Sequence, residues 1–196
     1  MVKDLAMKPF QSSFLSCEKD AEIILRKLFI ESRPYSDDLK RLLVINTPDC
    51  LDDKANSIYL KKLEEMNLQK LIEQGYIRLQ PKLQIDEFEE VKSYIIIMFN
   101  NFIPNSSNPQ FRDCIVTFDI ISHIDCWDLH NYRNRPVKIA GYIDGILENS
   151  RLTGIGTFQM SLCKLNILSP QLMGYTLTYK AIHGSDDKLP ESDKIV

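Results

Sequence analysis

Up to Gly75 the apolar positions of this chain recur at helical spacing; beyond it they alternate or run together as in strands. Ala21, Ile24, Leu25, Leu28 and Phe29 form one stripe, and Pro34 stops that helix. Ser36 is placed to cap a second helix. Asp37 and Asp38 in its first turn suit the positive end of the dipole, and Leu39, Leu42 and Leu43 follow. Pro48 ends it. A third helix is predicted over 57–74, with Leu60, Leu63, Met66 (or Asn67) and Leu71 inward and Gly75 at the C′ position, where a left-handed residue closes a helix.

The second part reads as strands around one helix. Residues 77–85, with Pro81, suit short edge strands. Tyr94–Phe102 is a dense, largely β-branched run that predicts a buried strand. The loop 103–110 joins it to a strand over Asp113–His123 as an antiparallel hairpin. Within that strand Val116, Phe118 and Ile120 face one way, and Ile115, Thr117, Asp119 and Ile121 the other. A polar and aromatic loop, Ile124–Arg135, leads to a helix from Pro136 to about Asn149. Two long strands, Thr157–Leu168 and Leu172–His183, then pair antiparallel across Ser169-Pro170-Gln171. Tyr175, Leu177, Tyr179 and Ala181 share one face of the last strand, and Thr176, Thr178 and Lys180 the other, so the sheet is expected to be covered on one side only.

Helices followed by strands define an α+β fold: a helical N-terminal part, then a mainly antiparallel sheet with one helix packed on one face. We divide the chain into a helical region 1–75, an α+β core domain 76–183, and a polar tail 184–196 expected to be flexible. The 196 residues suffice for a proper core. A net charge of −3 does not suit a dedicated nucleic-acid binder. The run Tyr94–Phe99 is too short to span a bilayer, and the first residues lack the apolar stretch of a secretory signal. Five scattered cysteines read as reduced thiols, mostly in the core, in a cytoplasmic compartment.

Candidate chemistry is sparse. His123, Asp125, Cys126, Asp128 and His130 crowd into eight residues, and a metal site would need three or four of them to converge. Their spacing matches no zinc pattern; the plain reading is a strand end running into a polar loop. Ser16-Cys17-Glu18-Lys19 is formally an SxxK, but the companion motifs of such hydrolases are absent, and Ser16 serves better as a helix cap. Gly154 and Gly156 form a turn, since a strand and not a helix follows them. Asp86, Glu87, Glu89 and Glu90 read as a solvated linker. Asp119, if buried in its strand, needs a partner such as an arginine, in a structural or interface ion pair.

The helix after Pro136 is more informative. Ile139, Ala140, Ile143, Ile146 and Leu147 form its apolar face, and Gly141 and Gly145 fall on the opposite side with Asp144 and Glu148 nearby. Glycine inside a helix costs up to about 1 kcal/mol against alanine. Two of them, four apart and facing outward, are either tolerated or mark a place where another subunit packs. The loop before this helix carries the only Trp, Trp127, with Tyr132, Arg133 and Arg135, the residue types that anchor interfaces. A nucleic-acid reading of that loop is weakened by Asp125 and Asp128 beside it.

The strand Ile115–His123, then Trp127, then Arg135-Pro136 opening a helix that carries Ile139-Ala140 and Ile143–Leu147, then two closing strands with Gly174-Tyr175 in the last, resembles the neck proteins of tailed bacteriophages, of the tail terminator or tail-completion type. The resemblance covers residues 94–183; the helical first 75 residues depart from it, the family usually having a shorter helical N-terminus. It implies a non-enzymatic, cofactor-free virion protein. Such proteins form closed homo-oligomeric rings, hexameric or matched to a twelvefold portal. They contact neighbouring neck, portal or tail proteins and let DNA pass without sequence-specific binding, away from any membrane. The interface candidates are Trp127, Tyr132, Arg133, Arg135, Gly141, Gly145 and Asp119. A small metal-dependent hydrolase using His123, Asp125, Cys126 and His130, or a cytoplasmic adaptor binding through its N-terminal helices, are the alternatives.

Overall fold

The computed structural model describes residues 17–79, 90–104, 112–131, 133–152 and 156–183. The first apolar stripe forms α1 (Cys17–Arg26), which runs on into one π-helical turn (Lys27–Glu31); Ile24, Leu25, Leu28 and Phe29 are buried as the spacing predicts. Pro34 precedes α2 (Tyr35–Val44), whose Leu39, Leu42 and Leu43 are fully buried. Ser36 is not its cap. It lies buried inside the first turn, and its Oγ accepts from the Ser32 N–H at 3.1 Å.

The single helix expected over 57–74 is two, α3 (Asp53–Glu65) and α4 (Leu68–Glu73). The break falls at Met66 and Asn67 because the Asn67 side chain accepts from the Lys70 N–H at 2.9 Å and starts a new helix. Met66 and Leu71 are buried, but Leu60 is exposed. Gly75 follows the C-cap of α4 at φ +72°, and Tyr76 N–H donates to Leu71 O, so the chain reverses there as predicted.

Five strands make the main sheet: β1 (Ile77–Arg78), β2 (Ser93–Pro104), β3 (Arg112–His123), β8 (Gln159–Ile167) and β9 (Leu172–His183). Their order is β1-β2-β3-β9-β8, and only the β1–β2 pair is parallel. The α+β class is therefore established. Phe118 sits opposite Ile97 on one side and Leu177 on the other, which puts the predicted apolar face of β3 at the centre of the sheet. At Gly174 a Cβ would stand 1.8 Å from Ile120 O, so only glycine lets β9 lie this close to β3.

The segment expected to be a polar, aromatic loop after β3 holds short regular elements. A 3-10 turn (Ile124–Cys126) leads to a two-stranded hairpin, β4 (Asp128–Leu129) and β5 (Arg133–Asn134), and then directly to α5 (Arg135–Leu147). Asn134 caps α5, accepting from the Val137 N–H at 3.2 Å, with Pro136 in the first turn. A second short pair, β6 (Arg151–Leu152) and β7 (Gly156–Thr157), follows α5.

Ile139, Ala140, Ile143, Ile146 and Leu147 of α5 pack on the sheet, and α2 and the π-helical turn after α1 pack against α5. Residues from Ile24 to Ala181 share one core, so the helical N-terminal part and the sheet are built on common packing. Phe158 and Phe118 each meet the fully buried Tyr179 edge to face. The Tyr179 hydroxyl donates to Asp144 Oδ1 at 2.9 Å, and Met160 N–H to Glu148 Oε2 at 2.7 Å. Asp144 and Glu148 thus tie α5 to the sheet and do not accompany the outward glycines. The opposite face of the sheet is not bare: Tyr94, Ile96, Ile121 and Leu172 form a smaller buried cluster there.

Candidate interaction surface

Arg135 sets the geometry of this region. Its side chain is fully buried at the junction of α2, the 3-10 turn and α5. Nη1 donates to Leu42 O (2.7 Å) and Ile45 O (2.6 Å), Nη2 to Thr47 O (2.8 Å), and Nε to Cys126 O (2.5 Å). A cation at the C-terminus of α2 satisfies carbonyls that the helix leaves without partners. Burial raises the Cys50 and Cys126 thiols, partly opposed by this guanidinium. Arg135 is therefore a structural clamp, and the expectation that it anchors an interface is corrected: no part of it reaches the surface.

The hairpin held by this clamp closes through Arg135 N–H to Trp127 O (2.8 Å) and is pinned to the α2–α3 connection by His130 N–H to Pro48 O (2.9 Å). Trp127 is half-buried and Arg133 exposed; Tyr132 lies outside the described residues. Asp119, half-buried, is held by the Thr176 hydroxyl and the Asn166 amide, not by the expected arginine. It is on the sheet face away from α5, remote from the helix glycines. Its place is in the sheet's polar packing.

The candidate metal ligands do not gather: His123 Nδ1 and Asp125 Oδ2 lie 3.4 Å apart, but no third ligand joins them among the described residues. His123 Nδ1 accepts from the Asp125 N–H at 3.2 Å and caps the 3-10 turn. The Cys126 thiol is buried and donates to His123 O. His130 turns outward to Asp52, 2.7 Å away. Among the described residues no three His, Cys, Asp or Glu side chains come together as a metal set.

What does converge is a groove of about 700 Å³ over the outer side of α5, lined by Tyr35, Arg133, Asn134, Val137, Lys138, Gly141, Tyr142 and Gly145. The glycines and Arg133, nominated from separate stretches of sequence, share it. A Cβ at Gly141 or Gly145 would meet nothing within 4 Å, so no contact among the described residues requires glycine at either place. Lys138 lies over the Tyr142 ring at 4.6 Å, and Tyr35 meets the same ring at 5.8 Å. Tyr142 donates to Asp38 at 2.9 Å; burial first and then this carboxylate push its hydroxyl up to about 12. The groove is thus aromatic and basic, with glycines that allow close approach. Tyr35, Val137 and Lys138 could not be read from the sequence because helical spacing alone does not show that α2 begins beside α5.

A second exposed surface is β8. It ends the sheet order, and Leu162, Leu165, Ile167 and the following Leu168 are exposed.

Fold and surface together define an α+β protein with two exposed surfaces, the α5 groove and the β8 edge, and with no metal-type cluster of His, Cys, Asp or Glu among the described residues. The family model YomW matches residues 36–181, and the chain belongs to the YomW family; that name is a phage-derived gene name, which points to a phage-associated protein. No curated protein matches the chain. A crystal structure of a protein from Akkermansia muciniphila aligns over 92% of this chain and all of that one, at 10% identity and a TM-score of 0.28, a likeness too slight to carry an argument. No helix among the described residues is long and apolar enough to cross a membrane.

Proposed function

We propose that the chain is a structural protein of a tailed-phage particle, a ring-forming neck component that joins head to tail and leaves a channel for DNA. The observation that carries this reading is the α5 groove. Its two glycines lie open, beside Arg133, Lys138 and Tyr35, as a lateral contact for a neighbouring subunit's backbone requires. A ring built of heterologous contacts needs a second, different patch on each subunit. The family name and the resemblance over residues 94–183 supply the phage context. Six or twelve copies, stacked against portal, neck or tail proteins, are the assembly expected. A net charge of −3 suits a conduit that does not grip DNA.

The test is electron microscopy and mass photometry of the purified protein, alone and with the portal, together with a protein inventory of phage particles. The wild type is expected in rings and in the particle. Gly141→Leu/Gly145→Leu is expected to fold and to fail to form rings. Absence from the particle, rings that survive the double substitution, or stoichiometric zinc in the purified protein would each overturn the reading.

A further inference from the structure

We propose that the free edge of β8 pairs with β8 of a second copy, antiparallel, about a twofold axis through Leu165. The backbone directions come first. Leu168 N–H donates to Leu172 O, and His123 N–H donates away from β9, to Lys92 O. Alternation through the β3–β9–β8 register then turns the N–H and C=O groups of Leu162, Lys164 and Asn166 toward β9. Those of Cys163, Leu165 and Ile167 point outward, with no partner strand among the described residues, along an exposed edge.

The side chains on that edge are unusual for one left to water. Leu162 is 48% exposed, Leu165 53%, Ile167 62% and Leu168 41%. Lys164 is the only charge in β8, which has no proline, and the one irregularity, between Met160 and Leu162, leaves residues 163–167 regular. The usual devices that keep an edge strand from pairing are therefore missing where the apolar residues stand.

The register follows from the sequence. Centred on Leu165, an antiparallel self-pair sets Leu165 against Leu165, Cys163 against Ile167, and Leu162 against Leu168, and gives Lys164 the neutral Asn166. Centred on Lys164 it opposes two lysines. Centred on Cys163 it sets Leu165 against Ser161 and Ile167 against Gln159. Only the first register matches apolar to apolar throughout and keeps like charges apart. The hydrogen-bonding positions Cys163, Leu165 and Ile167 then meet their own kind, and two five-stranded sheets become one of ten. This contact uses one patch twice and closes at two copies, so it is not the lateral contact of a polar ring and stands apart from that reading. It joins two copies edge to edge, independently of ring assembly.

Directly opposed residues of such a pair have Cα atoms about 5.5 Å apart, within reach of a disulfide. Leu165→Cys in a Cys163→Ser background is expected to cross-link to a dimer on mild oxidation. Wild-type Cys163 is expected not to cross-link, because its copy lies four residues away along the strand. Ile167→Lys should weaken dimerisation about tenfold or more, and adding Cys163→Glu, which faces that lysine across the axis, should restore it. Helical and sheet circular dichroism of each variant checks that these exposed sites leave the fold intact. Cross-linking through wild-type Cys163 would establish the rival register and overturn the proposal. So would a monomer at every concentration, or Leu165→Cys that cross-links only to a different protein. Dimers from a protein missing from phage particles would sink the ring reading alone, and rings from a protein that never dimerises would sink this one alone.

Discussion

Replacing Arg135 by Met decides whether the clamp stabilises the fold or merely tolerates a buried charge. Two effects oppose each other. Removing the guanidinium releases the cost of burying a cation, several kcal/mol per ion, and hydrophobic replacement of buried ionic groups is often neutral or stabilising. Against this, the guanidinium makes four hydrogen bonds to backbone carbonyls, and Met leaves Leu42 O, Ile45 O, Cys126 O and Thr47 O without it. An orphaned buried polar group costs roughly 1–3 kcal/mol, and charge-assisted bonds are at the upper end of the range. Water can recover the Thr47 carbonyl, whose bond is only part-buried. With charge-assisted bonds at the upper end, the three buried carbonyls cost about 9 kcal/mol, and a released desolvation cost of about 4–6 kcal/mol leaves a net of about 3–5 kcal/mol. Because whole domains are stable by only about 5–15 kcal/mol, the variant should unfold at a much lower urea concentration. Arg135→Lys keeps the charge but has one nitrogen, which cannot reach carbonyls that the guanidinium meets through three, so it should be no better than Met. The assay is urea unfolding followed by circular dichroism and by the fluorescence of Trp127, the only tryptophan, whose carbonyl accepts the Arg135 N–H. A Met variant within about 1 kcal/mol of the wild type would refute the reasoning, since desolvation would then have balanced all four bonds.

Four further outcomes follow from named contacts. Gly141→Ala and Gly145→Ala should each raise stability by about 0.4–1 kcal/mol in the isolated subunit, read as a higher melting temperature, because the new methyl meets nothing. Gly174→Ala should cost at least about 3 kcal/mol or prevent folding, since its Cβ would strike Ile120 O and backbone cannot move aside cheaply. Tyr179→Phe should cost about 1 kcal/mol by thermal unfolding, through loss of its bond to Asp144. Stability should fall in alkali: burial first, then nearby Glu90 for Tyr94 and Asp38 for Tyr142, push both hydroxyls up to about 12, and Tyr179 is raised as well. Their folded-state values exceed the unfolded value near 10, so the stabilisation is complete below about pH 10 and is lost as the pH climbs through about 12. A urea midpoint that stays constant from pH 9 to pH 11.5 would contradict this.

The strands were readable because each carries its own period. Val116, Phe118 and Ile120 alternate with Thr117 and Asp119, and the structure puts the two sets on opposite faces. Gly75 was readable because a left-handed helix end favours glycine, and φ there is +72°. The misreadings share one cause, a side chain bonded to a backbone group that the apolar pattern does not reveal, whether near in sequence or far away. Asn67 restarted a helix through the Lys70 N–H where the apolar pattern alone ran straight on. Arg135 looked like a surface anchor because nothing local shows that Leu42, Ile45 and Thr47, about ninety residues earlier, turn their carbonyls toward it.

The surfaces separate along the same line. Gly141 and Gly145 could be placed outward from helix geometry alone, but the groove they share with Tyr35 and Arg133 exists only because α2 and the β4–β5 hairpin flank α5. The β8 edge was hidden for another reason. Alternation along Gln159–Ile167 shows a strand, and the hairpin with β9 accounts for one of its sides. Whether the other side is covered depends on strand order, which puts β3 and not β8 beside the far flank of β9. Once that order is known, Leu165 and Ile167 change meaning: in a central strand they would be ordinary core, and at an edge they are apolar groups left in water beside backbone that no described strand pairs. The physical demand they make is for a strand, whereas the open glycines of α5 admit any close-packed backbone. The two surfaces therefore ask for different occupants, and a substitution at either should leave binding at the other unchanged.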